Sequence, residues 1–251
     1  MIERYASDIW DVIKAYDIPY DWTIGQKART ALDNILGEPA NCWNLGNCAQ
    51  ENRSLRDLLS RVLNDPHTDD TKAARLYGWI VADWGGVHKN RHVVEAWASP
   101  DNGWHGSYRD EVLLKFADQV QRKRISSWSK VFAFAAPDRH AIFDSRVAVA
   151  LNLALEELGH EERFFMPPSR VVKDKNGVNR PNAVARARER LNGKTQLGYQ
   201  DYLRWLRAVR DRPEGPDFLT IESSLFANAP VMAAKLEQRR LTQFGASLIQ
   251  Q

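Results

Sequence analysis

Apolar residues recur at intervals of three and four along most of the chain. Ile9, Trp10, Ile13 and Tyr16 make one such stripe, Leu55, Leu58, Leu59 and Val62 a second, and Leu76, Trp79 and Ile80 a third. That spacing puts each set on one face of a helix, where it is hidden against a neighbouring element. The same reading predicts helices over 107–121, 126–136, 145–158, 181–191, 199–210, 216–226 and 230–240. They are divided by turn clusters at Asp65-Pro66, Ser99-Pro100-Asp101-Asn102-Gly103, Pro137-Asp138 and Pro167-Pro168. Strand signals are few. Val93, Val94 and Trp97 read as extended, and Asn176-Gly177, between Val171-Val172-Lys173 and Val178, reads as a hairpin turn. The expected class is all-α with at most a small β-hairpin, a single helical unit over 1–251 or two lobes of one.

The longest interruption of the helical pattern is a basic loop region, 163–182, broken by Pro167, Pro168, Gly177 and Pro181. Charge makes it more informative. Between Arg163 and Arg212 there are 13 Lys+Arg against 4 Asp+Glu, whereas the other residues carry 22 against 28. A local excess of that size inside a chain of net charge +3 suits a polyanion, most often nucleic acid, and it equally suits a solvated arginine-rich face. Apolar residues are 43% of the 251, enough for a sizeable core and too many for a disordered chain. Two cysteines, Cys42 and Cys48, exclude a disulfide framework, and the opening MIERYASDIWDVIKAYD has no apolar signal-peptide core, so a reducing cytoplasm is the expected compartment. No apolar run approaches the roughly 18 to 20 residues of a membrane span.

Nine tryptophans exceed what a helical core of this size needs. Trp79, Trp128 and Trp205 lie among apolar neighbours at helical spacing and read as core. Trp84, before Gly85-Gly86, and Trp104, beside Gly103, fall at element ends. A ring there is available to stack on an extruded nucleobase, or to close a hydrophobic staple.

The segment with the most chemistry in it is Arg122 to Asn152, RKRISSWSKVFAFAAPDRHAIFDSRVAVALN. It reads as two helices joined at Ala135-Ala136-Pro137-Asp138-Arg139-His140. With Ser126 or Ser127 as N-cap, Lys130 falls in the opening turn of an apolar helix containing Val131, Phe132 and Phe134. The positive end of the helix dipole and partial desolvation both favour the neutral amine that a nucleophile needs. Asp144 follows Ala141-Ile142-Phe143 and precedes a strongly apolar helix, so its carboxylate is placed to cap that helix. Taken singly, such a lysine is by default a surface residue and such an aspartate merely a cap. As a pair on consecutive helices they can bring an amine and a carboxylate to one cleft.

Residues 124–152 resemble the catalytic segment of the helix-hairpin-helix DNA glycosylase superfamily, and most closely its 8-oxoguanine DNA glycosylase branch. In that branch a lysine opens the second helix of the hairpin motif and an aspartate caps the next helix after a short extended apolar stretch. Lys130, Asp144 and Ile142-Phe143 match those positions. Arg146 matches a residue that touches a DNA phosphate. The family's Leu-Pro-Gly-x-Gly turn is replaced by Arg124-Ile125-Ser126-Ser127-Trp128, so its backbone phosphate site is missing. Arg122, Lys123, Arg124, Ser126 and Ser127 are the candidates to contact DNA instead. The segment between lysine and aspartate is also shorter than in the larger members. Past residue 152 the likeness is limited to Thr220-Ile221-Glu222-x-x-Leu225-Phe226, which is similar to a C-terminal helix of small members.

The resemblance implies base excision from double-stranded DNA: a damaged or modified base is flipped into a pocket and its N-glycosidic bond is cleaved. Asp144 would stabilise the developing cation, and Lys130 would form a Schiff base that also permits AP-lyase strand scission. No metal or other cofactor is implied. The pocket candidates are Trp128, Phe143, Trp84 and Trp104. Oxidised guanine is the substrate the branch suggests, and a hypermodified phage base, hence phage defence, fits the same chemistry. A competing reading is a non-catalytic helical DNA-binding or complex-assembly module that has kept the fold. A zinc site from Cys42, Cys48, His88 and His92 is a weaker alternative because the x5 cysteine spacing is loose. A nuclease would need clustered metal-binding carboxylates, and no such motif is present. Nor is there a Walker loop, a GxGxxG after a strand, a GxSxG elbow or an HExxH motif.

Overall fold

A computed structural model describes residues 2–97, 124–168, 172–173, 179–180, 182–191 and 196–249. These are predominantly helical, and the chain divides into two compact units, one formed by 20–142 and the other by 1–19 with 143–251.

In the 20–142 unit, α1 is Gln26–Leu36, α2 is Cys48–Asn64, α3 is Asp70–Trp79, α4 is Arg91–Trp97 and α5 is Ile125–Ala135. Two of these helices begin at side-chain caps: Asn47 accepts from the Gln50 amide at 2.9 Å and Asp69 from the Lys72 amide at 2.7 Å. α1 ends at Gly37, whose φ of 84° is the left-handed stop that glycine takes without steric cost. The core element is α5. Ile125 and every residue from Ser127 to Ala135 are buried, the signature of a helix enclosed on all sides rather than one with a wet face. It packs on α2 and on a π-helical turn, Ile80–Trp84, that continues α3.

Asn52 ties this unit together from inside. Its amide donates to the Trp22 carbonyl at 3.1 Å and the Cys48 carbonyl at 2.8 Å, and its oxygen accepts from the Trp84 indole at 2.8 Å. Of these, the bond to the Trp84 indole satisfies a donor that is otherwise buried without a partner. The expected extended stretch at Val93, Val94 and Trp97 is helix α4 instead. Val94 and Trp97 are three apart, so the same residues also satisfy helical spacing, and packing of α4 on α3 decides in favour of helix.

In the other unit, α6 is Ala6–Lys14, which the chain makes first, and it is joined by α7 at Ser145–Glu157, α8 at Ala183–Arg190, α9 at Tyr199–Arg210 and α10 at Phe218–Ile249. α7 is the central helix, buried continuously from Val147 to Leu155, with α6, α8 and α10 packed on it. Phe143, Phe164, Tyr199 and Tyr202 form an aromatic cluster beside it, Phe143 and Tyr202 having ring centroids 5.2 Å apart. Two buried asparagines fix irregular backbone. Asn152 bonds both the amide and the carbonyl of Phe164, at 2.7 and 3.0 Å, and Asn228 holds the end of α6 through the Ile13 carbonyl at 2.6 Å and the Ile18 amide at 3.1 Å.

Helices 216–226 and 230–240 were expected as two, and they are one. Pro230 sits inside α10 with its ring exposed, and Ile221, Leu225, Ala229, Met232 and Ala233 form a buried stripe that runs through it. Burial on both sides of the proline outweighs the roughly 3 kcal/mol that an interior proline costs. Strand structure among the described residues is confined to two short pairings. Arg163–Phe164 (β1) runs parallel to Gln196–Leu197 (β4), and Val172–Lys173 (β2) pairs antiparallel with Asn179–Arg180 (β3). The expected hairpin strands are therefore present, while its Asn176-Gly177 turn and the helix expected over 107–121 lie outside the described residues. None of the described helices is long and apolar enough to cross a membrane.

Candidate active site

Lys130 is on α5, in its second turn and not its first. The helix begins at Ile125 rather than at a serine cap, because Arg124 occupies the N-cap position in a left-handed conformation, φ 62°, and supplies no side-chain cap. Ser126 and Ser127 are consequently helical. Ser127 is fully buried and its hydroxyl accepts from the Asn90 amide at 2.9 Å. Lys130 itself is only 5% exposed, and its Nζ donates to the Ser126 carbonyl at 2.8 Å, one turn back along α5.

The floor under that lysine comes from the π-turn. Gly85 closes the turn, its amide reaching the Ile80 carbonyl at 2.9 Å. The stem of Lys130 lies against Gly85, and a Cβ placed there would stand 2.7 Å from Cδ and 2.9 Å from Cε. The neighbouring wall is aromatic. Trp84 meets Phe134 edge-on with centroids 4.9 Å apart, and the buried Arg56 guanidinium lies 5.2 Å from the Phe134 centroid and 6.0 Å from that of Trp84. Thus the unit gathers Lys130, Gly85, Trp84, Phe134 and Arg56 around one helix. Nothing in the hydrophobic pattern singles out Arg56, which lies in the solvent-facing gaps of the α2 stripe only if helix neighbours are ignored.

Asp144 belongs to the other unit and does what its position predicts: it is the N-cap of α7, extended at φ −117°, with Oδ1 accepting from the Arg146 amide at 2.9 Å and the Val147 amide at 3.2 Å. The carboxylate is half-buried at the positive end of the α7 dipole. Two residues on, the Arg146 guanidinium stacks on Phe226 at 4.3 Å from the ring centroid. That contact joins the two separate stretches of the sequence that carry the resemblance, 124–152 and 220–226.

The ring candidates fare differently from the amine and the carboxylate. Trp84 and Trp128 are 5% and 4% exposed, and Phe143 is fully buried. For Trp84 the choice between a ring offered at an element end and one packed inside is settled for the inside: the π-turn folds it inward, where Asn52 satisfies its indole N–H. Trp128 stacks near Phe132, at 6.3 Å, and Phe143 belongs to the aromatic cluster of its own unit. Trp104, Arg122 and Lys123 lie outside the described residues. Arg124 is exposed and Arg146 half-buried.

The basic run is less naked than its count suggests. Arg163 approaches Glu156 at 3.7 Å, Arg186 forms a two-point pair with Glu237 at 2.5 and 2.8 Å, Arg204 meets Asp201 and Glu3, and Arg210 bonds Asp211 at 2.8 Å. Carboxylates from outside the run, Glu3, Glu156 and Glu237, return to it in space. No set of three or more His, Cys, Asp or Glu side chains is gathered as a metal centre requires among the described residues. Burial pushes the Cys42 thiol up to about 11, which disfavours the thiolate that would ligate zinc. Comparison with protein-family models, with characterised proteins and with solved structures finds no match to this chain.

Proposed function

We propose that the chain is a DNA N-glycosylase with AP-lyase activity, acting on a damaged or modified base in double-stranded DNA, in repair or in phage defence. One observation carries the reading. A lysine enclosed in the core helix α5 is followed, after the Pro137 turn and the non-helical apolar stretch Ala141-Ile142-Phe143, by an aspartate whose carboxylate caps the next helix. The order of amine, turn, apolar stretch and capping carboxylate resembles that of the 8-oxoguanine branch of the helix-hairpin-helix glycosylases.

Chemically, the Nζ of Lys130, having given up a proton, forms a bond to the sugar C1′ while the N-glycosidic bond breaks. The bonding pair leaves on the base, which takes up a proton. The Asp144 carboxylate offsets positive charge developing on the sugar. Loss of a proton from nitrogen and opening of the ring, with O4′ protonated, gives a protonated imine. That imine acidifies C2′, and removal of a C2′ proton expels the 3′ phosphate and cuts the strand. Arg124 and Arg146 supply cations for the backbone, and the affinity they provide falls steeply with salt. No step calls for a metal.

The test uses a panel of duplexes, each with a single oxidised guanine, uracil or bulky modified base, and scores free base and strand cleavage separately. Wild type releases base from at least one duplex and Lys130→Gln releases none at a comparable rate. If every duplex is bound and none loses its base, the chain is the non-catalytic DNA-binding module instead.

A further inference from the structure

Gly85 and Gly86 follow one another, and they are glycines for different reasons. Gly86 has φ 69°, a left-handed conformation that itself calls for glycine. Gly85 has φ −85° and ψ −7°, which any residue adopts. Its backbone gives no cause for the missing side chain, so the cause is space. The space is taken by Lys130, whose Cδ and Cε would lie 2.7 and 2.9 Å from a Cβ at Gly85, with the Ile80 carbonyl oxygen also at 2.9 Å. The π-turn explains why Gly85 is there at all. One extra residue per turn shifts the backbone by about 100° relative to a continued α-helix, and such insertions recur at functional sites. Here it closes through the bond from the Gly85 amide to the Ile80 carbonyl and seats the Cα of Gly85 against α5.

We infer that Gly85, held by the π-turn Ile80–Trp84, is a positioning residue that fixes the stem of Lys130 and so aims its amine. The inference rests on the glycosylase reading for its catalytic consequence, but the contact is testable without it. A lysine stem has several soft torsions, and packing against a flat glycine surface on one side with the Ser126 carbonyl holding Nζ removes most of that freedom before substrate arrives. A methyl group at position 85 is too close to both stem carbons, so the stem must swing away and the amine with it.

The experiment compares wild type, Gly85→Ala, Lys130→Ala and the double variant. Thermal unfolding gives the coupling between the two positions. Reductive methylation with formaldehyde and cyanoborohydride, read by peptide mass with surface lysines as the internal reference, reports the reactivity of the Lys130 amine without any DNA. Gly85→Ala is expected to lower Tm by about 3 °C or more with Lys130 present and by less than half of that with Lys130→Ala. Its Lys130 methylation should change at least about threefold against the reference lysines. Single-turnover base release should slow about tenfold or more with DNA affinity unchanged. If Gly85→Ala fails to fold but the double variant folds, the contact is upheld. If neither folds, or if Tm changes add and methylation matches wild type, the crowding is with the Ile80 carbonyl alone and the positioning role is overturned. Absence of base release from wild type would sink the glycosylase reading while leaving the coupling and methylation results to decide the role of Gly85.

Discussion

Asp144 is asked to do two things, to cap α7 and to supply negative charge, and substitutions separate them. Oδ1 accepts from the Arg146 and Val147 amides at 2.9 and 3.2 Å. Asparagine keeps a carbonyl oxygen at that position and caps about as well as aspartate, whereas alanine leaves both amides without a side-chain partner. Loss of the cap costs about 1 kcal/mol, and loss of the charge at the helix N-terminus about 0.3–1 kcal/mol more. Asp144→Asn should therefore give up only the second amount and Asp144→Ala about 1.3–2 kcal/mol in all. For a chain of this length each kcal/mol moves Tm by about 2–4 °C. The two variants should then differ by a few degrees in a thermal scan. In single-turnover base release they should look alike, both slowed by about 10²–10³, because the missing charge and not the missing cap sets the barrier. Equal stability losses for Asn and Ala would refute the cap, and wild-type base release by Asp144→Asn would refute the electrostatic role.

Two further outcomes test the packing beneath the site. Asn52→Ala strands the buried Trp84 indole N–H and removes the side-chain bonds to the Trp22 and Cys48 carbonyls, so it should cost about 1–3 kcal/mol by denaturant titration, where a surface Asn→Ala costs a few tenths. At Glu237, hydrogen bonds from Arg186 hold the carboxyl below its ordinary value. A depressed carboxyl contributes stability above its unfolded value of about 4.3 and loses it as pH falls through the folded value. Wild type should exceed Glu237→Gln in Tm at neutral pH by a small margin, since solvent reaches and screens this half-buried surface pair, and the margin should close in the acid range. A margin that persists at pH 2 would show that the pair acts through packing alone.

The helical character was legible because periodicity reports burial, and burial is what makes these helices. Ile9, Trp10 and Ile13 are buried on α6, and Leu55 and Leu59 on α2, as their spacing predicts. The cap at Asp144 was legible because a polar residue before an apolar run has few other uses. What the pattern hid is instructive. Leu76, Trp79 and Ile80 gave no hint that α3 loosens into a π-turn, since one inserted residue leaves the apolar spacing nearly intact. That turn carries Trp84 inward and makes Gly85 the surface on which Lys130 lies. The serines before Lys130 suggested a cap, but Arg124 takes the N-cap position in the left-handed region, which shifts Lys130 a turn deeper into the core. Pro230 predicted a break that burial on both sides overrides.

If the chain is the glycosylase proposed, the amine of Lys130 becomes covalently bound to a sugar carbon of DNA, and borohydride reduction during turnover captures that bond. Digestion of the reduced adduct and mass mapping should place the nucleotide remnant on the peptide that contains Lys130, with Lys130→Gln yielding no adduct there. A remnant mapped to another lysine or to the N-terminal amine, or no adduct from a duplex that loses its base, would remove Lys130 from the role of nucleophile.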